Sequence, residues 1–118
     1  MEASEQSSGF AVEIVADDEV VWVRATGQAD MASRRAFEMA LRHAAERSPK
    51  VVVLDLRPLN FMDASGLTVI LEADAHSRDQ GWTLVILRGP PAVHLTFEAT
   101  KTDGRLHIVG DPPPDERA

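Results

Sequence analysis

The sequence contains no cysteine and few aromatic residues, which make up 5% of its 118 positions. The absence of cysteine excludes a disulfide framework and a thiolate metal site, as is typical of proteins kept in a reducing cytosol. The apolar runs are too short to cross a bilayer, and the acidic, polar start lacks the basic-then-apolar pattern of a signal peptide. We therefore expect a cytoplasmic protein.

Positive charge is also scarce. Lys and Arg number 12 against 19 Asp and Glu, which gives a formal net charge of −7. Nucleic acids and anionic membranes bind proteins through concentrated Lys and Arg, so the composition argues against both as partners.

Motifs for cofactors, metals and catalysis are missing as well. The glycines do not form a phosphate-binding loop, because Gly27, Gly66, Gly81 and Gly89 stand singly. The histidines at 43, 76, 94 and 107 fall on different predicted elements, with no pair at metal-ligand spacing. The sequence therefore predicts no cofactor, no metal site and no enzymatic activity.

The length and composition of the sequence are typical of one globular domain. Residues 1–9 are polar and acidic with little to bury, which predicts a flexible tail. Residues 10–110 form the predicted domain. Residues 111–118 form a second tail that is rich in proline and acidic residues.

Hydrophobic periodicity predicts alternating strands and helices within the domain. A hairpin comes first, Gly27 ends it, and Asp30 is placed to cap the first of about three helices. The predicted strands are 10–15, 20–25, 51–56, 82–87 and 105–109; the predicted helices are 30–48, 63–80 and one that begins at Pro90-Pro91. The run 51–56 is apolar throughout and should be the central strand. This order predicts an α/β domain with a mixed, mostly parallel sheet and an N-terminal hairpin edge.

The transition from strand to helix near Asp63 is the most informative stretch. Asp63 fits a helix N-cap, and Met62 and Leu67 then occupy the two positions of a hydrophobic staple. Ser65 falls in the first turn, where we expect it to meet solvent. Gly66 weakens a helix by up to about 1 kcal/mol relative to Ala, so its presence suggests a close approach to the backbone.

Two interpretations of this stretch stay open from the residues alone. The simpler one is a capped helix start with no further role. The other is a docking patch for a partner, because the predicted outer face, with Met62 nearby, mixes apolar and polar groups: Ser65, Val69 and Glu72.

Three motifs over about residues 10–110 resemble the STAS domain, the family of bacterial anti-sigma factor antagonists and of the cytoplasmic tails of sulfate transporters. The apolar strand followed by Asp63-Ala64-Ser65-Gly66-Leu67 resembles the family's Asp-Ser-Ser-Gly-Leu or Asp-Ser-Thr-Gly-Leu. Gly27-Gln28-Ala29-Asp30 is similar to its Gly-Glu-Leu-Asp, and Pro91-Ala92-Val93 with Phe97 is similar to its third-helix start.

The resemblance implies a function in transcription control. It implies that the chain binds an anti-sigma factor with a histidine-kinase-like ATPase fold and so releases a sigma factor, with any ATP held by the partner. In the family, the kinase phosphorylates the first hydroxyl residue after the Asp, and a serine phosphatase reverses this. Ala64 occupies that position here, so Ser65 is the candidate phosphoacceptor. The implied partner-binding residues are Asp30, Met62, Asp63, Ala64, Ser65, Gly66, Leu67, Val69 and Glu72.

Two other classes of function are alternatives. One is a STAS scaffold or transport-accessory subunit that is not switched by phosphate, for which Ala64 is an argument. A small enzyme is the third class and the least supported, because the sequence shows no cluster of titratable groups.

Overall fold

The predicted α/β architecture is confirmed by a computed structural model, which describes the backbone of residues 2–7 and 9–110 and the side chains of residues 9–110. The described strands are β1 (Glu2–Ser7), β2 (Phe10–Asp17), β3 (Val20–Ala29), β4 (Val51–Asp55), β5 (Leu59–Met62), β6 (Thr83–Leu87) and β7 (Ile108–Val109). The helices are α1 (Arg34–Ala45), α2 (Ala64–Gln80) and α3 (Pro91–Ala99), and a 3-10 turn (Met31–Ser33) leads into α1.

One mixed sheet contains all these strands, in the order β1-β2-β3-β4-β6-β7, with β5 paired to β3. The pairs β1–β2 and β2–β3 are antiparallel, and the remaining pairs are parallel. Strand β4 lies between β3 and β6, and Val52 and Leu54 are completely buried. The prediction of a central strand in this stretch is therefore confirmed.

The predicted flexible tail at residues 1–9 is wrong for the stretch Glu2–Ser7. This stretch forms β1 and pairs with β2 from Glu2 opposite Val15 to Ser7 opposite Phe10. Antiparallel pairing uses backbone N–H and C=O groups, so a polar segment can join a sheet edge without an apolar pattern. The predicted tail at residues 111–118, like Met1 and Ser8, lies outside the described residues.

The first hairpin also extends further than predicted. Strand β3 continues beyond Gly27 to Ala29 and pairs there with β5, a strand that the periodicity did not indicate. Gly27 has a φ of +96°, and a Cβ at this position would lie 2.0 Å from the Gly9 carbonyl oxygen. Gly27 therefore marks a close strand approach and a shift in register, not the end of the strand.

Helix α1 ends earlier than the predicted boundary at Ser48. Pro49 disfavours the helical conformation at the residue before it. Ser48 is not helical, with a φ of +54°, and α1 ends at Ala45. The predicted apolar stripe of α1 is buried as expected: Phe37, Ala40, Leu41 and Ala44.

The hydrophobic core lies between the helices and one face of the sheet. Alternate residues of β2 and β3 point into it, including Val12, Ile14 and Val23. Val15 and Trp22 lie opposite each other on the other face and are partly exposed. Among the described residues, no helix is both long and apolar enough to cross a membrane.

The first turn of α2 packs directly on the end of β3 because Gly66 has no side chain. A Cβ at Gly66 would lie 2.7 Å from the Ala29 carbonyl oxygen and 2.8 Å from Met62 Cγ. The close approach suggested by the sequence is therefore to the chain's own backbone.

A buried carboxylate joins β3 and β4 on the other face of the sheet. Asp55 accepts two hydrogen bonds from the Arg57 guanidinium, both 2.9 Å, and one from Arg24 Nε at 3.3 Å. Burial alone would raise the pKa of Asp55, but hydrogen bonds and charge from Arg57, with the charge of Arg24, lower the pKa below its ordinary value near 3.8.

We expect Asp55→Asn to lower the free energy of unfolding at pH 7 by about 1–3 kcal/mol, because it removes the charge that pairs with both arginines. The lowered pKa means that this contribution is complete above pH 3.8 and is lost as the pH falls through the folded-state pKa. Urea unfolding of wild type and variant from pH 7 to pH 2 measures the difference. Asp103→Asn, at an exposed turn, is the control. A difference that stays constant over this pH range would contradict the assignment.

We expect Gly66→Ala to destabilise the protein by about 1–3 kcal/mol through overpacking, although Ala is the better helix former. Gly104→Ala serves as the matched control, since nothing lies within 4 Å of a Cβ at that position. Chemical unfolding measures both variants. If Gly66→Ala is as stable as the wild type or more stable, then α2 and Ala29 can move apart at little cost and the prediction is wrong.

Candidate docking surface

The candidate site lies where two neighbouring parallel strands end side by side. Ala29 at the end of β3 is opposite Met62 at the end of β5. The Asp63 N–H donates to the Ala29 carbonyl oxygen at 3.1 Å. This pairing places Asp30 and Asp63 next to the same edge of the sheet, each as the first residue after its strand.

Asp63 caps α2, as the sequence predicts. Its Oδ1 accepts from the backbone N–H groups of Ser65 at 2.8 Å and Gly66 at 3.3 Å. These donors have no acceptor within the helix, so the carboxylate satisfies them and its charge complements the positive end of the helix dipole. The first turn of α2 is therefore held in a fixed conformation.

Asp30 caps the neighbouring 3-10 turn through a reciprocal arrangement with Ser33. The Ser33 N–H donates to Asp30 Oδ1 at 3.1 Å, and the Asp30 N–H donates to Ser33 Oγ at 2.9 Å. The buried Ser33 hydroxyl also donates to the Gln28 carbonyl oxygen at 2.7 Å. Ser33 was not among the predicted site residues, although a serine three residues after a capping Asp has the spacing of a capping box.

Four of the predicted partner-binding residues are buried, so their side chains form no part of the surface. They are Met62, Gly66, Leu67 and Val69. The helical periodicity that placed Val69 on an outer face was misread, because α2 is covered both by the sheet and by α1. These residues support the site from beneath, and Met62 and Leu67 do so from the two positions of the predicted staple.

The other predicted residues reach the surface. Asp30, Asp63 and Ser65 are half-buried, and Ala64 and Glu72 are exposed. Ser65 lies in the first turn, as expected, and its hydroxyl donates to Met31 Sδ at 3.9 Å. Thr68 is also exposed, one turn along α2 from Ala64.

Three large apolar side chains that the sequence did not single out are exposed on the elements that meet around this turn. Met31 is 71% exposed, Phe61 is 47% exposed and Leu95 is 59% exposed. Met31 belongs to the capped 3-10 turn, and Phe61 lies in β5. Leu95 lies in α3, which is tied to β5 by a hydrogen bond of 2.9 Å from the Thr96 hydroxyl to the Met62 carbonyl oxygen. We call Met31, Phe61, Ala64, Ser65, Thr68 and Leu95 the α2 surface.

The α2 surface combines three large apolar side chains with the hydroxyls of Ser65 and Thr68. The capping carboxylates of Asp30 and Asp63 lie beside it and fix its backbone. Within the described residues, no group of three or more His, Asp or Glu side chains is placed to hold a metal ion.

Several solved structures share this fold. An anti-sigma factor antagonist from Mycobacterium paratuberculosis is 22% identical, with a TM-score of 0.75, over 95% of this chain and 93% of that one. An antisigma-factor antagonist STAS domain from Rhodobacter sphaeroides is 25% identical, with a TM-score of 0.56, over 69% and 88%. A sulfate transporter family protein from Wolinella succinogenes is 18% identical, with a TM-score of 0.68, over 82% and 80%.

The sequence itself matches a family model as well. The model is described as "Mlab, STAS domain", and the match covers residues 12–110. This range contains the capped strand ends, the whole of α2 and the third helix, so it includes the motifs on which the resemblance was based. The chain belongs to the STAS domain family.

Proposed function

We propose that this protein is a non-enzymatic, cytoplasmic regulator that binds an anti-sigma factor through the α2 surface and so releases a sigma factor for transcription. The observation that carries the proposal is the group of exposed apolar side chains around the capped first turn of α2. The partner is a kinase-type anti-sigma factor with a histidine-kinase-like ATPase fold. ATP belongs to that partner.

The distribution of exposed apolar residues supports this choice of surface. Among the described residues, five large hydrophobic side chains are exposed, and three of them belong to the α2 surface: Met31, Phe61 and Leu95. Neighbouring exposed apolar groups mark interaction sites more often than scattered ones do. The remaining two, Val15 and Trp22, lie on the opposite face of the sheet.

The caps also support binding, because they fix the surface before a partner arrives. Asp63 holds the first turn of α2, and the pair Asp30–Ser33 holds the turn that carries Met31. A surface that is already ordered loses less conformational entropy on binding, so more of the contact energy contributes to affinity.

Phosphorylation of Ser65 is the switch that we propose for this surface. Ala64, at the family's usual position, has no hydroxyl, whereas Ser65 is partly exposed beside Met31. A phosphate adds about −1.5 to −2 charges at pH 7. Because Asp63 already occupies the amides of Ser65 and Gly66, a phosphate on Ser65 would meet a like charge and would bring water to an apolar contact. Binding would therefore weaken until a serine phosphatase removed the phosphate.

A second candidate function is a STAS scaffold or transport-accessory subunit that phosphate does not switch. Two observations favour it: the structural similarity to a sulfate transporter family protein and the alanine at position 64. The α2 surface would then bind a transport ATPase or another STAS protein, and Ser65 would serve only as part of the contact.

We expect Met31→Glu to weaken binding of the cognate anti-sigma factor at least about tenfold, because it places an unpaired charge within the apolar contact. Ala75→Glu is the matched control, since it adds the same charge at an exposed position of α2 far from its first turn. Calorimetric titration measures both affinities. If both variants bind like the wild type, the surface is wrong. If the wild type binds no anti-sigma factor but captures a transport ATPase, the second candidate is correct.

We expect incubation with the kinase-type partner and ATP to place phosphate on Ser65, as located by mass spectrometry of peptides. Ser65→Ala should then carry none in this motif. Ala64→Ser restores the family's usual hydroxyl and reports whether the kinase is active. Phosphate on the Ala64→Ser variant at position 64, with none on the wild type, would show that Ser65 is not the acceptor.

A further inference from the structure

A second concave site lies away from the α2 surface, at the carboxyl ends of the parallel strands β4 and β6. It is a cavity of about 520 Å³ at the start of α3, and its walls include Arg57, Arg88, Pro91, His94 and Glu98. The strand order continues in one direction from β3 through β4 and β6 to β7, so this is not the reversal of strand order at which open α/β sheets usually bind ligands. The case for a ligand here rests on the side chains that line the cavity.

His94 is the feature of this cavity that packing does not explain. It is only 4% exposed, and neither ring nitrogen has a hydrogen-bond partner among the described residues. The Glu98 carboxylate is 4.0 Å from Nε2, which is beyond hydrogen-bond distance. A buried polar group without a partner costs about 1–3 kcal/mol. Both ring nitrogens are buried in the described conformation, so an acceptor in the cavity would reach one of them and remove this cost only after rotation about χ2, a torsion with a broad energy well in histidine.

Two arginines line the same cavity, and because the charge of Arg57 is offset by Asp55, the positive charge comes from Arg88. Arg57 is held by its paired hydrogen bonds to Asp55, so its guanidinium has a fixed position. Arg88 follows β6 and is exposed, and no carboxylate pairs with its side chain within the described residues. The amino-terminal end of α3 adds the positive end of the helix dipole.

We propose that this cavity binds the phosphate group of a small phosphorylated molecule. Arg88 and Arg57 would contact the phosphate from the strand ends, and one ring N–H of His94 would donate to it from the floor of the cavity. A phosphate presents three oxygens to donors that approach from different directions, and guanidinium groups match it well. The volume lies within the range of small-molecule sites, so it leaves room for the organic part of the ligand.

Glu98 places a negative charge at the proposed phosphate site. It lies one turn after His94 on α3, and its side chain is 56% exposed at the edge of the cavity. A carboxylate there repels a bound phosphate, so Glu98→Gln should tighten binding. Arg88→Gln removes an attractive charge from the cavity lining and should weaken binding. The two substitutions therefore move the affinity in opposite directions.

The test is a titration of the full chain, followed by NMR of backbone amides at constant ionic strength, with inorganic phosphate and with ribose 5-phosphate as probes. We expect saturable shifts around the start of α3, and tighter binding of ribose 5-phosphate than of inorganic phosphate. Arg88→Gln should weaken binding about tenfold or more, and Glu98→Gln should strengthen it. Arg35→Gln, an exposed arginine on α1 outside the cavity, should bind like the wild type.

His94→Leu tests the role of the histidine with two measurements. If His94 is a ligand-binding group, the variant should keep the unfolding free energy of the wild type, because it removes an unsatisfied polar group, while losing affinity for ribose 5-phosphate. Lower stability with unchanged affinity would assign His94 to packing. Shifts that do not saturate, or equal affinities of the Arg88→Gln and Arg35→Gln variants, would overturn the proposal. Equal affinity for both probes would reassign the site to free phosphate.

Discussion

The contact between Gly66 and the end of β3 is the constraint on which the candidate site depends. With 2.7 Å between the position of a Cβ and the Ala29 carbonyl oxygen, only glycine lets α2 begin where it does. That approach brings Asp63 beside Ala29 and leaves Asp30 on the adjacent turn. Met31 and Ser65 then meet at the surface because both helical turns start from paired strands. The apolar and polar groups of the α2 surface are thus brought together by a packing contact beneath them.

Within this short motif, some residues hold the turn in place and others are available to contact a partner. Gly66 and Leu67 are buried and position the turn, whereas Ala64, Ser65 and Thr68 face outwards. A motif of this kind can hold its backbone fixed while the outward residues differ between relatives, since packing does not restrict them. An alanine at position 64 is therefore compatible with the fold and with docking, and it changes only the chemistry available for a switch.

Local sequence signals predicted most of the fold, since the relevant interactions are close in the chain. Asp63 was recognisable as a cap, and the apolar run 51–56 as an internal strand. Strand β1 was missed because its pairing uses backbone groups, and β5 because it has only four residues and little alternation. The role of Gly66 was foreseen only as a close approach, since nothing in the sequence identified Ala29 as its neighbour.

The site was predicted in its location but not in its composition. Helical spacing placed Val69 outside because spacing cannot show how many faces of a helix are covered, and α2 is packed by both the sheet and α1. Met31 and Leu95 were not predicted because they lie in segments distant in sequence from α2, and only the fold brings those segments together. Similarly, His94 gave no signal in the sequence, because its missing hydrogen bonds become apparent only once the strand ends and α3 are placed together.

The central claim is that partner binding uses the outward side chains around the first turn of α2. Hydrogen exchange of the protein, alone and bound to its anti-sigma factor, tests this most directly, because it maps the contact without altering any residue. We expect slower exchange in the 3-10 turn around Met31, in the first turns of α2 and around Leu95, with no change at Val15 and Trp22. Protection at Val15 and Trp22, on the opposite face of the sheet, without protection around Met31 and Ser65 would contradict it.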